Sequence, residues 1–437
     1  MNPPAHITIG GVGVALLLSA VNSDRVITVA QRDALRAAKA PRMADVSANG
    51  RFVAFQSWSR LVAADQDDLL DIYVLDRIGG RVTLESGDAD ATTENAHARI
   101  SGDGRFVVFE SRATRREELP RMDILLRDRE LATTRTMTTA AHSANHYTWS
   151  RAPDISDNGR RVAFSSASTT LVPGPDMNSE FEDVYVVDLP TGQTTRVSVN
   201  TSGAQLAVGN SVLPSLSADG RFVAFASTAA LSGDATQQRQ VYVRDLEART
   251  TIRISRAARG GLPDADCSLP SISADGRHVV YTSEATNIAA HDTNRGADVF
   301  LFDLDTMVTT TVSRAADGVA ANGTSLNGVI SGDGRHVAFQ SDAGNLVCAS
   351  RCSSIAEDLN LLWDVFIWDR VAGRTLRASE DELGGWMDWS TGPSIDHSGR
   401  VIAFSSRHPV DAEDREQDLD LFVRTVPVPL PLTTARK

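Results

Sequence analysis

Five short stretches carry oxygen-bearing side chains at alternating positions. DQDDLLD places Asp65, Asp67 and Asp71, and DMNSEFED places Asp176, Asn178 and Asp183 with one extra residue. DTNRGAD places Asp292, Asn294 and Asp298, and DLNLLWD places Asp358, Asn360 and Asp364. DREQDLD places Asp414, Glu416 and Asp420. Hard cations such as calcium collect about six to eight oxygen ligands, so these loops are candidate calcium sites. Asx-turns followed by an aspartate that caps a strand would give the same spacing without metal. Both readings stand on these residues. A sixth stretch degrades the pattern to Asp234, Thr236 and Gln240.

A second group is aromatic. NHYTW contributes Tyr147 and Trp149, and WMDW contributes Trp386 and Trp389. Exposed rings of this kind stack on sugars or grip peptides; the alternative is that they cover core beneath long connections. Cys348 and Cys352 are close enough in CASRC to bridge, which would leave Cys267 free. The sequence shows no G-x-S-x-G elbow, no H-E-x-x-H and no P-loop. The formal charge of −13 argues against nucleic acid, whose phosphates call for clustered Lys and Arg.

These residues hang on a repeat. The phrase SANGRFVAFQS begins at residue 47 and returns as SGDGRFVVFES, SDNGRRVAFSS, SADGRFVAFAS, SADGRHVVYTS, SGDGRHVAFQS and DHSGRVIAFSS. Its glycines are Gly50, Gly104, Gly159, Gly220, Gly276, Gly334 and Gly399. A recurrence of this length means a repeat architecture. Asn-Gly or Asp-Gly between apolar runs signals a tight hairpin. The run after each turn is apolar on both faces, so each sheet is covered on both sides. An aspartate-flanked strand such as DIYVLD follows, then a threonine-rich one such as TTRVSV. Four antiparallel strands per unit describe propeller blades.

The seventh unit lacks its threonine strand, because VPVPLP follows DLFVRT and prolines oppose pairing. DRVITVAQ, residues 24–31, matches the missing strand. The expected fold is therefore all-β: a single seven-bladed β-propeller of four-stranded antiparallel blades over 24–437, closed by an N-terminal strand. Residues 7–21 form an uncharged apolar run suited to a signal peptide over 1–23, with cleavage near Ser23. A periplasmic or secreted location follows, with no stable membrane span.

The phrase S-x-D-G-R-x-V-x-F resembles the WD40-like repeat of TolB-type bacterial β-propellers, over about residues 24–425. The resemblance implies a non-catalytic scaffold that binds a protein, peptide or glycan. Blade topology places the long loops and the blade connections on one face, where such a ligand is expected. The alternative is a polysaccharide-active lyase or glycosidase using carboxylates at the channel mouth.

Overall fold

A computed structural model of the chain describes residues 27–29, 44–87, 93–113, 122–138, 149–179, 181–234, 237–289, 294, 296–315, 318–347, 362–380, 387–408 and 419–426. These residues form 28 strands in seven four-stranded antiparallel sheets, and no helix occurs among them. Blade 1 runs outward from the axis as β2 (Ala44–Val46), β3 (Phe52–Ser57), β4 (Asp71–Asp76) and β5 (Arg81–Leu84). Blade 7 runs as β26 (Ser390–Ile395), β27 (Val401–Ser406), β28 (Asp420–Thr425) and β1 (Ile27–Val29). The closing strand pairs as expected: Ile27 opposite Val423, Thr28 opposite Phe422 and Val29 opposite Leu421.

The two middle strands are buried on both faces in blades 1 and 3, as their two-sided apolar pattern requires, whereas the third strand of blade 2, Met122–Asp128, alternates between buried and half-buried residues. Within a blade an aromatic pair stacks across them, Phe55 on Tyr73 at 5.7 Å and Phe164 on Tyr185 at 6.1 Å. Each fully buried Val or Phe stabilises the ring by roughly 1.5–3 kcal/mol.

Every letter of the repeated phrase has a local job. Ser47 Oγ donates to Asn49 Oδ1 (2.7 Å) and accepts from Phe52 N (2.9 Å). Asn49 Oδ1 also accepts from Arg51 N, and the Arg51 guanidinium grips Asp76 at the far end of β4 (2.7 Å). The turn glycines have φ between 65° and 81°. Conformation is only half the reason for glycine. The first residue of the second strand in one blade lies against the turn glycine of the next, so a Cβ on Gly104 would overlap the Phe52 ring, and one on Gly399 would overlap His336. His278 and His336 are therefore packing residues, laid on Gly334 and Gly399 of the next turn.

The turns also close a ring of their own. Backbone N–H groups donate across each joint: Asn49 to Gly102, Gly102 to Asp157, Asn158 to Ala218, Ala218 to Ala274, Ala274 to Gly332, Asp333 to His397 and His397 to Ala48. The seventh bond returns to blade 1. The ring is thus closed twice, at the rim by β1 and at the axis by this cycle.

Candidate functional site

The loop between the second and third strands of blade 1 brings its three acids together. One carboxylate oxygen from each of Asp65, Asp67 and Asp71 lies within 4.8 Å of the others. The local turns use part of this oxygen set. Asp65 Oδ1 accepts from Asp67 N (3.3 Å), and Asp67 Oδ1 accepts from Leu69 N (2.8 Å), so the Asx-turns are present. Asp71 caps its strand: Ser86 Oγ donates to Asp71 Oδ1 (2.6 Å) while accepting from Ile72 N. Tyr73 hydroxyl donates to Asp65 Oδ2. Burial pushes the Asp71 carboxyl up to about 6; Ser86 opposes the rise and Asp65 adds to it. Burial likewise raises Asp65, with the Tyr73 hydrogen bond opposing.

Blade 3 shows the same loop already filled. Gln205 Nε2 lies 2.8 Å from Asp176 Oδ1, 2.7 Å from Asn178 Oδ1 and 2.6 Å from Asp183 Oδ2. The Arg196 guanidinium adds contacts to Asp176 Oδ2 (3.1 Å) and Asp183 Oδ2 (3.2 Å). A cation-shaped position is thus occupied by the protein's own donors. Burial pushes Asp183 up to about 6, with Ser198 and Arg196 opposing. Arg196 stands opposite Tyr185 in the register; the same place holds Leu84 in blade 1, Arg253 in blade 4, Thr311 in blade 5 and Arg377 in blade 6.

The remaining loop candidates are partly placed. Asn294 Oδ1 accepts from Gly296 N, and Asp298, Asp364 and Asp420 start their strands, with Asp298 and Asp364 accepting from Ser313 and Ser379. Asp292, Asp358, Asn360, Asp414 and Glu416 lie outside the described residues, as do Tyr147, Trp386, Cys348 and Cys352. Cys267 is free and buried.

Trp149 and Trp389 do lie on the loop side, each immediately before the innermost strand of its blade. They are 43% and 39% exposed, unusual for indoles, and Arg407 stacks on the Trp389 ring at 5.0 Å. They belong to blades 3 and 7, so two blades separate them one way round and three the other. Met177 and Phe181 extend the exposed apolar surface of blade 3.

The turn-side part of the central channel holds a cavity of about 110 Å³. Drug-sized ligands need roughly 300 Å³ or more. Its wall is stitched from blade to blade. Asp45 accepts from Ile100 N (2.9 Å), Asp154 from Leu216 N (2.7 Å), Ser215 from Ile272 N (3.3 Å), Ser271 from Ile330 N (3.2 Å) and Ser394 from Val46 N (3.1 Å). Blade 2 has Arg99 at this place, which cannot accept. It bridges its neighbours instead, 2.7 Å from Asp45 and 3.3 Å from Asp154. At the turn-side mouth, burial pushes Asp157 up to about 6; His397 opposes, and Asp154 and Asp45 add. Sequence reasoning missed this pair. The signal was available, because the other blades have Ala or Gly at that place: Ala48, Gly102, Ala218, Ala274 and Gly332.

No family model matches the chain, and no curated protein does. Solved structures do. An oligogalacturonate lyase from Vibrio parahaemolyticus is 12% identical with a TM-score of 0.53, over 93% of this chain and 98% of that one. An oligogalacturonate lyase in complex with manganese is also 12% identical, TM-score 0.51, over 89% and 90%. A TolB structure from Agrobacterium tumefaciens is 19% identical, TM-score 0.39, over 62% and 79%. At these identities the likeness to the two lyases shows the fold alone. The molecule is a seven-bladed β-propeller with the TolB-type phrase in its blade turns. Among the described residues no helix is long and apolar enough to cross a membrane.

Proposed function

We propose that the chain is an exported, non-catalytic binding scaffold whose loop-side face takes a peptide or glycan segment between Trp149 and Trp389. The observation that carries this reading is the exposure of both indoles at equivalent places on a rigid ring. Such rings supply contact area at low conformational cost. Asp45 and Asp154 in the channel wall are held by Arg99 and by backbone donors, which weighs against a catalytic pair formed by these two. We assign a divalent cation, calcium by the hardness of its all-oxygen donors, to Asp65, Asp67 and Asp71. Three protein carboxylates with water completing the shell make a weak site, on the order of 10⁻⁴–10⁻³ M, suited to an extracellular protein.

The test titrates the full chain with defined peptides and oligosaccharides and follows binding by calorimetry. Saturable binding that is lost in the Trp149→Ala, Trp389→Ala double variant supports the reading. Binding that survives the double variant, or shortening of an oligosaccharide during the titration, overturns it. The second outcome would favour a polysaccharide-active enzyme, the reading to which the manganese-bound lyase lends its fold.

A further inference from the structure

Blade 4 inverts the chemistry of blade 3. Its strands are β14 (Ser211–Leu216), β15 (Phe222–Ser227), β16 (Gln240–Asp245) and β17 (Thr250–Arg253). Gln240 pairs with Ser227 as Asp183 pairs with Ser166 in blade 3. The neighbouring serine fixes which way the Gln240 amide points. Ser255 Oγ accepts from Val241 N (3.0 Å) and so donates to Gln240 Oε1 (2.8 Å). Ser198 treats Asp183 Oδ1 the same way. The amide nitrogen of Gln240 therefore stands where Asp183 presents the oxygen that Arg196 contacts.

Arg253 occupies the Arg196 place, opposite Tyr242. In blade 3 that arginine meets carboxylates; in blade 4 it meets an amide donor. Gln240 is fully buried and its Nε2 has no hydrogen-bond partner among the described residues. Arg253 Nε has none there either; Arg196 Nε also lacks a hydrogen bond but keeps an ion-pair contact with Asp183 Oδ2 (3.2 Å), which the Gln240 amide cannot offer to Arg253. Arg253 Nη1 keeps an ion-pair contact with the half-exposed Asp234 (2.9 Å), and Nη2 reaches Gly261 O at 3.4 Å. Buried donors without acceptors are costly and rare in native proteins, so each needs a reason.

A cleft of about 530 Å³ opens against Arg253, between blade 4 and the connection from blade 3. Asn200, Thr201, Ser202, Ser232 and Arg256 share its wall. Arg256 Nε donates to Arg253 O (3.3 Å), which holds the second guanidinium beside the first. The charged groups on the described wall are two arginines and Asp234, a local positive excess on a chain of net charge −13. Guanidinium groups in a partly desolvated cleft, with hydroxyls around them, fit a planar or tetrahedral oxyanion.

We propose that this cleft is an anion-binding site for the carboxylate or phosphate group of a small ligand, with Arg253 as anchor and Arg256 beside it. Gln240 makes the site possible by withholding the negative charge that satisfies Arg196 in blade 3. The inference stands apart from the scaffold reading, because it needs neither tryptophan.

The experiment uses the full chain, with sodium phosphate and sodium acetate as probes against sodium chloride at equal ionic strength. Calorimetry reads binding and thermal denaturation reads stability. Saturable binding of phosphate alone assigns a phosphoryl ligand, of acetate alone a carboxylate ligand, and of both a general oxyanion site. Arg256→Gln should weaken the bound probe by roughly tenfold while the protein stays folded. Gln240→Glu should restore the blade 3 arrangement: anion binding is lost and the ligand-free melting temperature rises as the new carboxylate pairs with Arg253. Failure of both probes to saturate overturns the proposal. So does binding that neither substitution changes.

Discussion

Going round the turn side of the ring, seven backbone hydrogen bonds join seven turns built from nearly one phrase. Going round the loop side, the equivalent places hold three acids in blade 1, acids filled by Gln205 and Arg196 in blade 3, and an amide facing an arginine in blade 4. The turn side repeats because each joint solves the same packing problem, a neighbour's side chain laid on a glycine. The loop side varies because nothing in the ring's closure depends on it. Identity among repeats marks what the fold needs; departure from identity marks where the blades have been put to separate uses.

The largest test of this contrast lies in the channel. Arg99→Met leaves Asp45 and Asp154 buried without their shared cation, and chemical denaturation should show a loss of about 3–5 kcal/mol. A loss below about 1 kcal/mol would mean that the channel wall does not depend on this bridge. Next comes a matched pair of glycines on the turn side. Gly104 and Gly192 both have positive φ, at 81° and 70°, but only Gly104 faces a neighbour, Phe52, while open space surrounds Gly192. Gly192→Ala should cost about 1–2 kcal/mol from conformation alone. Gly104→Ala should cost about 1–3 kcal/mol more from overpacking. Equal losses would remove the inter-blade explanation of the phrase.

The loop side should answer to pH and cation instead. Asp71 titrates at about 6 when folded and from an ordinary 3.8 otherwise. The folded state therefore holds the extra proton between those values, and the contribution of Asp71 to stability falls as pH rises through that window. The same deprotonation frees the carboxylate for a cation. Millimolar calcium should raise the melting temperature at about pH 7.5 and leave it unchanged at about pH 5. Asp67→Asn should shrink the gain, and EDTA should abolish it; a shift equal at both pH values would point to general salt effects. The smallest expected change in stability is at the exposed tryptophans. Trp389→Ala should alter stability by about 0.5 kcal/mol or less, as surface substitutions do, while removing ligand binding.

The seven-bladed ring was legible because the phrase acts locally. Ser47, Asn49, Gly50 and Arg51 satisfy one another within a few residues, so their spacing survives in the chain. The closing strand was legible by subtraction, since the seventh blade lacked a partner for Val423 that Ile27 supplies. The acidic loops were found, but their state was not. Whether the three oxygens face only one another or gather around Gln205 depends on a residue 22 positions beyond Asp183, in the next connection. The place of Trp149 and Trp389 at the innermost strands also needed the fold. Gln240 was noted only as a break in the acidic spacing, and Asp157 and Arg253 could have been found by aligning the seven units and asking which other places break the pattern. A search for recurring acids passes over a carboxylate that occurs in one turn and an arginine that looks ordinary until it is seen beside the Gln240 amide.

Native-state hydrogen exchange of the full chain tests the division of the two faces most directly. The turn-side amides of Gly102, Ala218, Ala274 and His397 should exchange only by global unfolding, with the blade 7 to blade 1 joint as well protected as the others. The loop-side amides of residues 65–69 and 176–179 should exchange far faster, through local openings. Fast exchange at His397 alone would show a ring that opens at its closure, and equal protection on both faces would contradict the account.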